Sequence, residues 1–330
     1  MSDLEIIASI IIPVYNVELY LKECLDSIFV NQDIRQKFEV IIVNDGSTDS
    51  SLNILNEYRN QHDFILISQN NQGIGAARNA GIKSAKGKYL IFADSDDYFV
   101  PYALDKLLEY LAVADAEIIE YDYDVLYCTQ SNFKKKENIS VVSGTGQDVF
   151  CEWRKTGFYH SMVWTRAVAR SLLVSNHLFF SSNRCYEDVE WSPQVFAYAQ
   201  SVSYFPHAIY TYRIRENSAS TADYDPKKRV ECIDALVSLY KFSFTDNLSE
   251  RYVKTLREKI FSFYLSFIKE IRFGGEYNYS LISVLEKHSY FMKYANNFHR
   301  RYFYKYLIDI FGLKCFYYFK YRINEFIDNK

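Results

Sequence analysis

Lys88-Tyr-Leu-Ile-Phe-Ala-Asp-Ser-Asp-Asp97 is an apolar run of β-forming residues that ends in three carboxylates within four positions. A half-buried strand would alternate apolar and polar residues. Tyr89 to Ala93 is apolar throughout, the pattern of a central parallel strand covered on both faces. Ligands of open α/β sheets bind at the carboxyl ends of such strands, where Asp94, Ser95, Asp96 and Asp97 begin. Adjacent carboxylates repel, so the cluster is costly unless a cation or hydrogen-bond donors offset the repulsion. Oxygen-only ligands point to a hard ion, Mg²⁺ or Mn²⁺, which keeps positions open for water and phosphate oxygens. On this stretch alone, an acidic turn capping the helix that starts near Pro101 is an equal alternative.

The same pattern repeats upstream. Ala8 to Ile12 reads as a buried strand, followed by Pro13-Val-Tyr-Asn16 and a helix whose Leu21, Leu25, Ile28 and Phe29 share one face. Asn16 is expected to cap that helix. Phe38 to Val43 is a second strand, followed by Asn44-Asp-Gly-Ser-Thr-Asp49 and a helix carrying Leu52 and Leu55, so Asp45 stands at a strand end as Asp94 does. Phe64 to Ser68 is a third, followed by Asn70-Asn-Gln-Gly-Ile-Gly75 and a small-residue helix ending at Gly87. Four alternations of strand and helix within about 100 residues predict a mostly parallel sheet with right-handed crossovers. Every acidic or Gly-rich turn then lies on one edge, where a phosphorylated ligand would bind. Gly73-Ile-Gly75 is not a dinucleotide fingerprint, because Arg78 stands where G-x-G-x-x-G needs its third glycine, and no G-x-x-x-x-G-K-[ST] occurs.

Composition narrows the class. The 330 residues are 49% apolar and 24% charged, ordinary for a soluble globular protein, and the length suggests two domains or one with a large extension. A net charge of −3 offers no general attraction for nucleic acid. Cys24, Cys128, Cys151, Cys185, Cys232 and Cys315 stand singly, which suggests neither a disulfide framework nor a zinc site and fits a reducing cytoplasm. Ile6 to Ile12 is too short and wrongly flanked for a signal peptide, and no stretch reaches the roughly 18 apolar residues of a spanning helix. A soluble or peripheral protein is expected. Aromatic residues reach 18%, with 30 Tyr and 25 Phe, concentrated towards the C-terminus.

Four blocks in order carry a resemblance: Ser9-Ile-Ile-Ile-Pro-Val-Tyr-Asn16, Val43-Asn-Asp-Gly-Ser-Thr-Asp49, Asn71-Gln-Gly-Ile-Gly-Ala-Ala-Arg-Asn79 and Phe92-Ala-Asp-Ser-Asp-Asp97. Together they resemble the family 2 inverting glycosyltransferases. The likeness is strong over residues 8 to about 112, looser to about 220, and slight beyond. It implies a GT-A fold, a Rossmann-like, mostly parallel sheet flanked by helices, with a helical C-terminal extension. The domains expected are a catalytic domain over 1–225, divided into a nucleotide-binding half (1–112) and an acceptor half (113–225), and a helical region over 226–330. By the resemblance, Tyr15 lies against the nucleotide base, with Pro13 and Asn16 beside it. Asp45 accepts the uracil N–H and Arg78 points to the nucleotide. Asp94 serves the ribose, Ser95 completes the nucleotide contacts, and Asp96, with Asp94, holds a Mn²⁺ or Mg²⁺ ion on the diphosphate. Asp97 is left to cap the next helix.

Downstream, a helix with Leu104, Leu107, Leu108 and Leu111 and a strand over Glu117 to Val125 are expected, then a polar surface loop over 128–148 containing Lys134-Lys-Lys136. Cys185-Tyr-Glu-Asp-Val-Glu-Trp191 opens a helical pattern. Acids at a helix N-terminus are favourable on dipole grounds alone, but the family has a Glu-Asp pair here whose Asp is the general base. The resemblance therefore makes Asp188 the base that takes the acceptor hydroxyl's proton, and Glu187 a holder of the acceptor. Tyr210-Thr-Tyr-Arg-Ile-Arg-Glu-Asn-Ser218 resembles the block that follows, where Arg213 or Arg215 would bind the diphosphate by bidentate hydrogen bonds. A strand puts both on one face.

The implied activity is inverting transfer of a hexose from a nucleotide-diphosphate sugar, UDP-linked before others, to a saccharide acceptor. The setting is bacterial capsule, exopolysaccharide or lipopolysaccharide synthesis, with a lipid-linked acceptor among the options. A polyprenyl-phosphate sugar synthase is the nearest alternative; its phosphate acceptor hardly needs a base, so the Glu187-Asp188 pair speaks against it. Intact acidic positions speak against a non-catalytic binding module on the same fold. His299 to Arg322 combines aromatic residues with Arg300, Arg301, Lys305, Lys314, Lys320 and Arg322, a composition suited to peripheral contact with the inner face of a cell membrane.

Overall fold

The structure, a computed structural model, describes residues 6–30, 38–127, 130–131, 143–182, 185–215, 226–270 and 276–294. The chain divides into two compact units, Met1–Ala222 and Asp223–Lys330.

In the first unit, β1 (Ala8–Val14) pairs in parallel with β2 (Phe38–Asn44) on one side and β4 (Tyr89–Phe92) on the other, and β3 (Ile65–Ser68) continues the parallel run beyond β2. Helices α1 (Leu21–Phe29), α2 (Ser51–Arg59) and α3 (Ile74–Ser84) make the crossovers. Every residue of β1 and β4 is buried, which is why both read as unbroken apolar runs. The burial of Leu21, Cys24, Leu25, Ile28 and Phe29 gives α1 the single apolar face its spacing requires.

Beyond β4 the sheet is mixed. β8 (Arg166–Ala169) is antiparallel to β4 and to β6 (Ile118–Tyr127). β9 (Val202–Ile214) then runs parallel to β6 and pairs at its far end with the two-residue β5 (Tyr98–Phe99). The order is β3-β2-β1-β4-β8-β6-β9-β5, with β7 (Gln130–Ser131) hanging off β6. Helix α4 (Ala103–Val113) buries Leu104, Leu107, Leu108 and Leu111 as expected.

Two local expectations change. The stretch read as a loop to residue 148 ends earlier, because α5 (Gly146–Thr156) starts within it, its first turn capped by the Thr145 hydroxyl accepting from the Asp148 N–H. The Lys134-Lys-Lys136 run lies outside the described residues. Gly87 does not terminate α3, which stops at Ser84. A Cβ at Gly87 would come within 2.5 Å of the Ala8 and Ser9 backbone, so glycine is there to let the chain pass β1.

The described part of the second unit is helical: α8 (Pro226–Phe242), α9 (Glu250–Glu270), α10 (Glu276–Lys287) and a 3₁₀ segment Ser289–Tyr294. Leu236 and Leu239 of α8, Leu256, Ile260 and Tyr264 of α9, Leu285 of α10 and Phe291 are buried. Among the described residues no helix is long and apolar enough to cross a membrane.

Candidate active site at the carboxyl edge of the sheet

The turns after β1 and β2 are laced together. Asn16, at φ 51°, accepts through Oδ1 from the Thr48 N–H at 2.8 Å and the Asp49 N–H at 3.4 Å, while Asp49 accepts from the Glu18 N–H at 3.0 Å. Asn16 therefore does not cap α1, whose N-cap is Tyr20; its side chain is directed to the neighbouring turn, whose N–H groups lack helical partners. Tyr15 projects beside this lacing and is 47% exposed, leaving ring surface open to stacking. Pro13 lies within β1, buried and paired with Val43.

Asp45 is 2% exposed and fixes the third turn: Oδ1 accepts from Gln69 Nε2 at 2.7 Å and the Gln72 N–H at 3.0 Å, and Oδ2 from the Gly73 N–H at 2.9 Å. Three donors hold this carboxylate, so it shapes the turn as well as ending a strand.

The acidic turn after β4 divides its carboxylates between two surroundings. Asp97 is buried, accepting the Arg213 N–H at 2.8 Å and the Tyr210 hydroxyl at 3.0 Å. Burial, with Asp96 and Asp94 adding repulsion, holds its pKa well above the ordinary carboxylate value. Asp97 thus ties the turn to β9 and does not cap α4, whose N-cap is Tyr102. The Asp94 N–H also bonds the Tyr210 hydroxyl, at 2.8 Å. Ser95 is buried beside them. The Asp94 and Asp96 side chains are partly exposed, at 24% and 22%.

Arg213 and Arg215 converge on Asp96, as their spacing requires. Arg215 Nε donates to Asp96 Oδ2 at 2.8 Å and Arg213 Nε to the Asp96 carbonyl at 3.0 Å. Arg213 Nη2 also bonds Glu23 Oε2 at 2.5 Å, and both guanidinium groups lie over the Tyr20 ring. Tyr20 and Glu23 belong to no motif, and Tyr210 opens the last block without a role expected of it, yet all three hold the site.

Arg78 departs most from expectation. It is 3% exposed and bridges two carboxylates, donating from Nη2 to Asp94 Oδ1 at 2.7 Å and from Nη1 to Glu187 Oε1. Burial opposes its charge, but Asp94 and Glu187 outweigh it and raise the pKa. Both terminal nitrogens of the guanidinium thus meet carboxylates of the protein. Glu187 opens α7 (Glu187–Tyr198), with Tyr186 at φ 65° before it. Burial pushes Glu187 up to about 6, Arg78 pulling it down and Asp188 pushing it further up. Asp188 follows, half-buried, and its charge is felt at both Asp94 and Arg78, which brings the two acidic clusters into one site. Asn79 and Phe180 close the floor by exchanging two 2.8 Å hydrogen bonds, and Phe180 stacks on Trp191 of α7.

As a cation site, Asp94 and Asp96 supply two partly exposed carboxylates on one turn, a donor set suited to a hard ion completed by phosphate and water. Among the described residues no group of three or more His, Cys, Asp or Glu side chains forms a protein-only cage.

Comparison with known proteins bears on the fold and the family. GlyA, a glycosyltransferase of Streptococcus pneumoniae, is 30% identical over 225 residues, 64% of this chain but 31% of GlyA, so the chain spans about a third of that relative. The solved Staphylococcus aureus TarS 1-349, in complex with UDP-GlcNAc, superimposes with a TM-score of 0.69 at 21% identity, over 88% of this chain and 82% of that one. The mannosyltransferase PcManGT from Pyrobaculum calidifontis, in complex with GDP-Man and Mn²⁺, gives 0.56 at 14% identity, over 93% and 85%. Both structures share the GT-A fold seen here. The family model for glycosyl transferase family 2 matches residues 9–177, from the first buried strand through the acidic turn to just past α6 (Arg170–Ser175), and the chain belongs to that family.

Proposed function

We propose that the protein transfers a hexose from a UDP-sugar to a saccharide hydroxyl with inversion, in the assembly of a bacterial surface polysaccharide. The observation that carries the reading is the meeting of Asp94 and Asp96 with Glu187 and Asp188 around one buried arginine. The UDP-GlcNAc held by TarS supports UDP as the nucleotide.

In this reading Tyr15 stacks on the base, and Asp45 meets the uracil N–H through Oδ2, which carries one turn donor against two on Oδ1. Asp94 receives the ribose. Asp94 and Asp96 would hold Mn²⁺ or Mg²⁺, which supplies charge neutralisation to the departing diphosphate. Arg215, now on Asp96, lies within one side chain of the same oxygens and serves as a second counter-charge, while Arg213 is anchored to Glu23 and the Asp96 carbonyl. Asp188, half-buried in the first turn of α7, takes the proton from the acceptor hydroxyl as it attacks the anomeric carbon; the bond to the diphosphate oxygen breaks and one inversion results. Its own carboxylate also accepts the Val189 N–H at 2.8 Å, which orients it.

Asp188→Asn tests the assignment. Transfer from a UDP-sugar should fall by about 10²–10⁴, the range for loss of a general base. UDP affinity, by calorimetry with Mn²⁺, should stay within about threefold, since the base acts on the acceptor. Near-normal turnover would remove Asp188 from this role.

A further inference from the structure

One guanidinium joins the two ends of the site. Arg78 bonds Asp94, 16 positions along the chain, and Glu187, 109 positions along; the guanidinium and Glu187 are buried, while Asp94 keeps a partly exposed face. Phe180 lies 5.4 Å from the guanidinium, and Arg78 Nε is buried with no hydrogen-bond partner. An exposed arginine would trade partners with water. A buried one shared by two carboxylates cannot shift towards one without loosening from the other, because each partner it leaves becomes an uncompensated buried charge.

We propose that Arg78 is a positioning residue that couples the donor end of the site to the acceptor end, transmitting occupancy of Asp94 to Glu187 and so to the first turn of α7, which carries Asp188. This rests on the donor reading given above. A cation or ribose hydroxyl that engages Asp94 competes with Arg78 for that carboxylate and leaves more of the guanidinium to Glu187. That holds the start of α7 more firmly when donor is present. Linkage requires the reverse as well: whatever weakens Glu187 as a partner throws Arg78 onto Asp94 and lowers donor affinity.

A double-mutant cycle on UDP binding, measured by calorimetry with Mn²⁺, tests the coupling without any acceptor. Glu187→Gln keeps the shape and removes the charge, and should weaken UDP binding by about tenfold in the wild-type background, within the usual range for coupled sites. Arg78→Lys keeps a positive charge but loses the planar fork that spans two carboxylates, and in that background Glu187→Gln should change UDP affinity by less than about twofold. Asp188→Asn, which removes the same unit charge one residue along, should stay within about threefold, and this comparison decides the matter if Arg78→Lys does not fold. Equal effects of Glu187→Gln in the two backgrounds, or equal effects of Glu187→Gln and Asp188→Asn, overturn the coupling alone. Failure of the wild-type protein to bind UDP overturns the donor reading and the coupling with it.

Discussion

Asp45, Asp94 and Asp97 all stand where a strand meets a turn, yet their surroundings give them different work. Asp45 and Asp97 spend their oxygens on the protein, one on the third turn and one on β9; Asp94 and Asp96 keep partly exposed faces. Removing Asp96 should therefore affect ligand binding more than folding. In the proposed reading Mn²⁺ enhances UDP binding by the wild-type protein, on titration with and without chelator, and Asp96→Ala should abolish that enhancement, with Tm shifted by only a few degrees, about what loss of a partly exposed ion pair costs. Retention of the wild-type enhancement would show that the ion is held elsewhere. Glu187 offers a second test. Burial pushes it up to about 6, so the folded protein grips this proton more tightly than the unfolded chain does. The stability this contributes is complete below about pH 4.3, the ordinary glutamate value, and is lost as pH rises through the folded value. Glu187→Gln lacks it, so the stability of wild type minus variant, from urea denaturation, should fall by about 2 kcal/mol between pH 4 and pH 7; a flat difference would refute the raised pKa. The acids were legible in the sequence because each ends an apolar run. Arg78's bridge was not, because it depends on residue 187 arriving from 109 positions away.

Among the elements, α7 is the one that carries Asp188, the proposed base, and a second buried arginine holds it. Arg166 of β8, fully buried, bonds Glu120 of β6 through Nε at 2.8 Å, the His160 carbonyl at 2.8 Å and the Ser192 hydroxyl of α7. Three elements thus meet at one ion pair. Arg166→Met takes the arginine from the buried Glu120 carboxylate and should cost about 3–5 kcal/mol in urea denaturation. Adding Glu120→Leu should restore most of that loss, because an apolar pair of similar volume avoids the desolvation of both ions. A double variant no more stable than the single would mean that the Ser192 bond, and not the ion pair, does the holding. The first four strands and their helices were legible because each is a local apolar run followed by a turn. The antiparallel insertion of β8 between β4 and β6 was not, since no local period records which strand pairs with which. Helix α5 escaped for a different reason. Its Val149, Phe150 and Trp153 do stand three and four apart, but the run is short, and a Cβ at its first residue, Gly146, would lie 2.1 Å from the Phe196 carbonyl oxygen of α7. Close packing on α7 selected that glycine, which on sequence alone signals a break.

At the scale of the whole molecule, the first unit carries the whole candidate site, while the second builds its core from helices and an unusual share of rings. Arg257 there lies over Tyr240, Phe244 and Tyr294 and donates to the Ser243 hydroxyl, so its aromatic content is partly structural. The basic aromatic stretch His299 to Arg322 lies outside the described residues, and its case is one of composition: six Arg or Lys, many rings and a single acid, Asp309. Each basic residue near an anionic surface is worth about 1 kcal/mol, and ring edges settle at the headgroup level, so this stretch suits reversible attachment more than insertion. Such attachment would bring the site to a lipid-linked acceptor. Spread around a helical axis, however, the same charges suit a packed helix with snorkelling lysines. Flotation with liposomes separates the two. The full chain should float with vesicles containing anionic lipid, lose that association in neutral vesicles or at high salt, and lose it again when the chain ends before His299. Equal flotation of the full and shortened chains, or none for either, would assign the aromatic residues to internal packing.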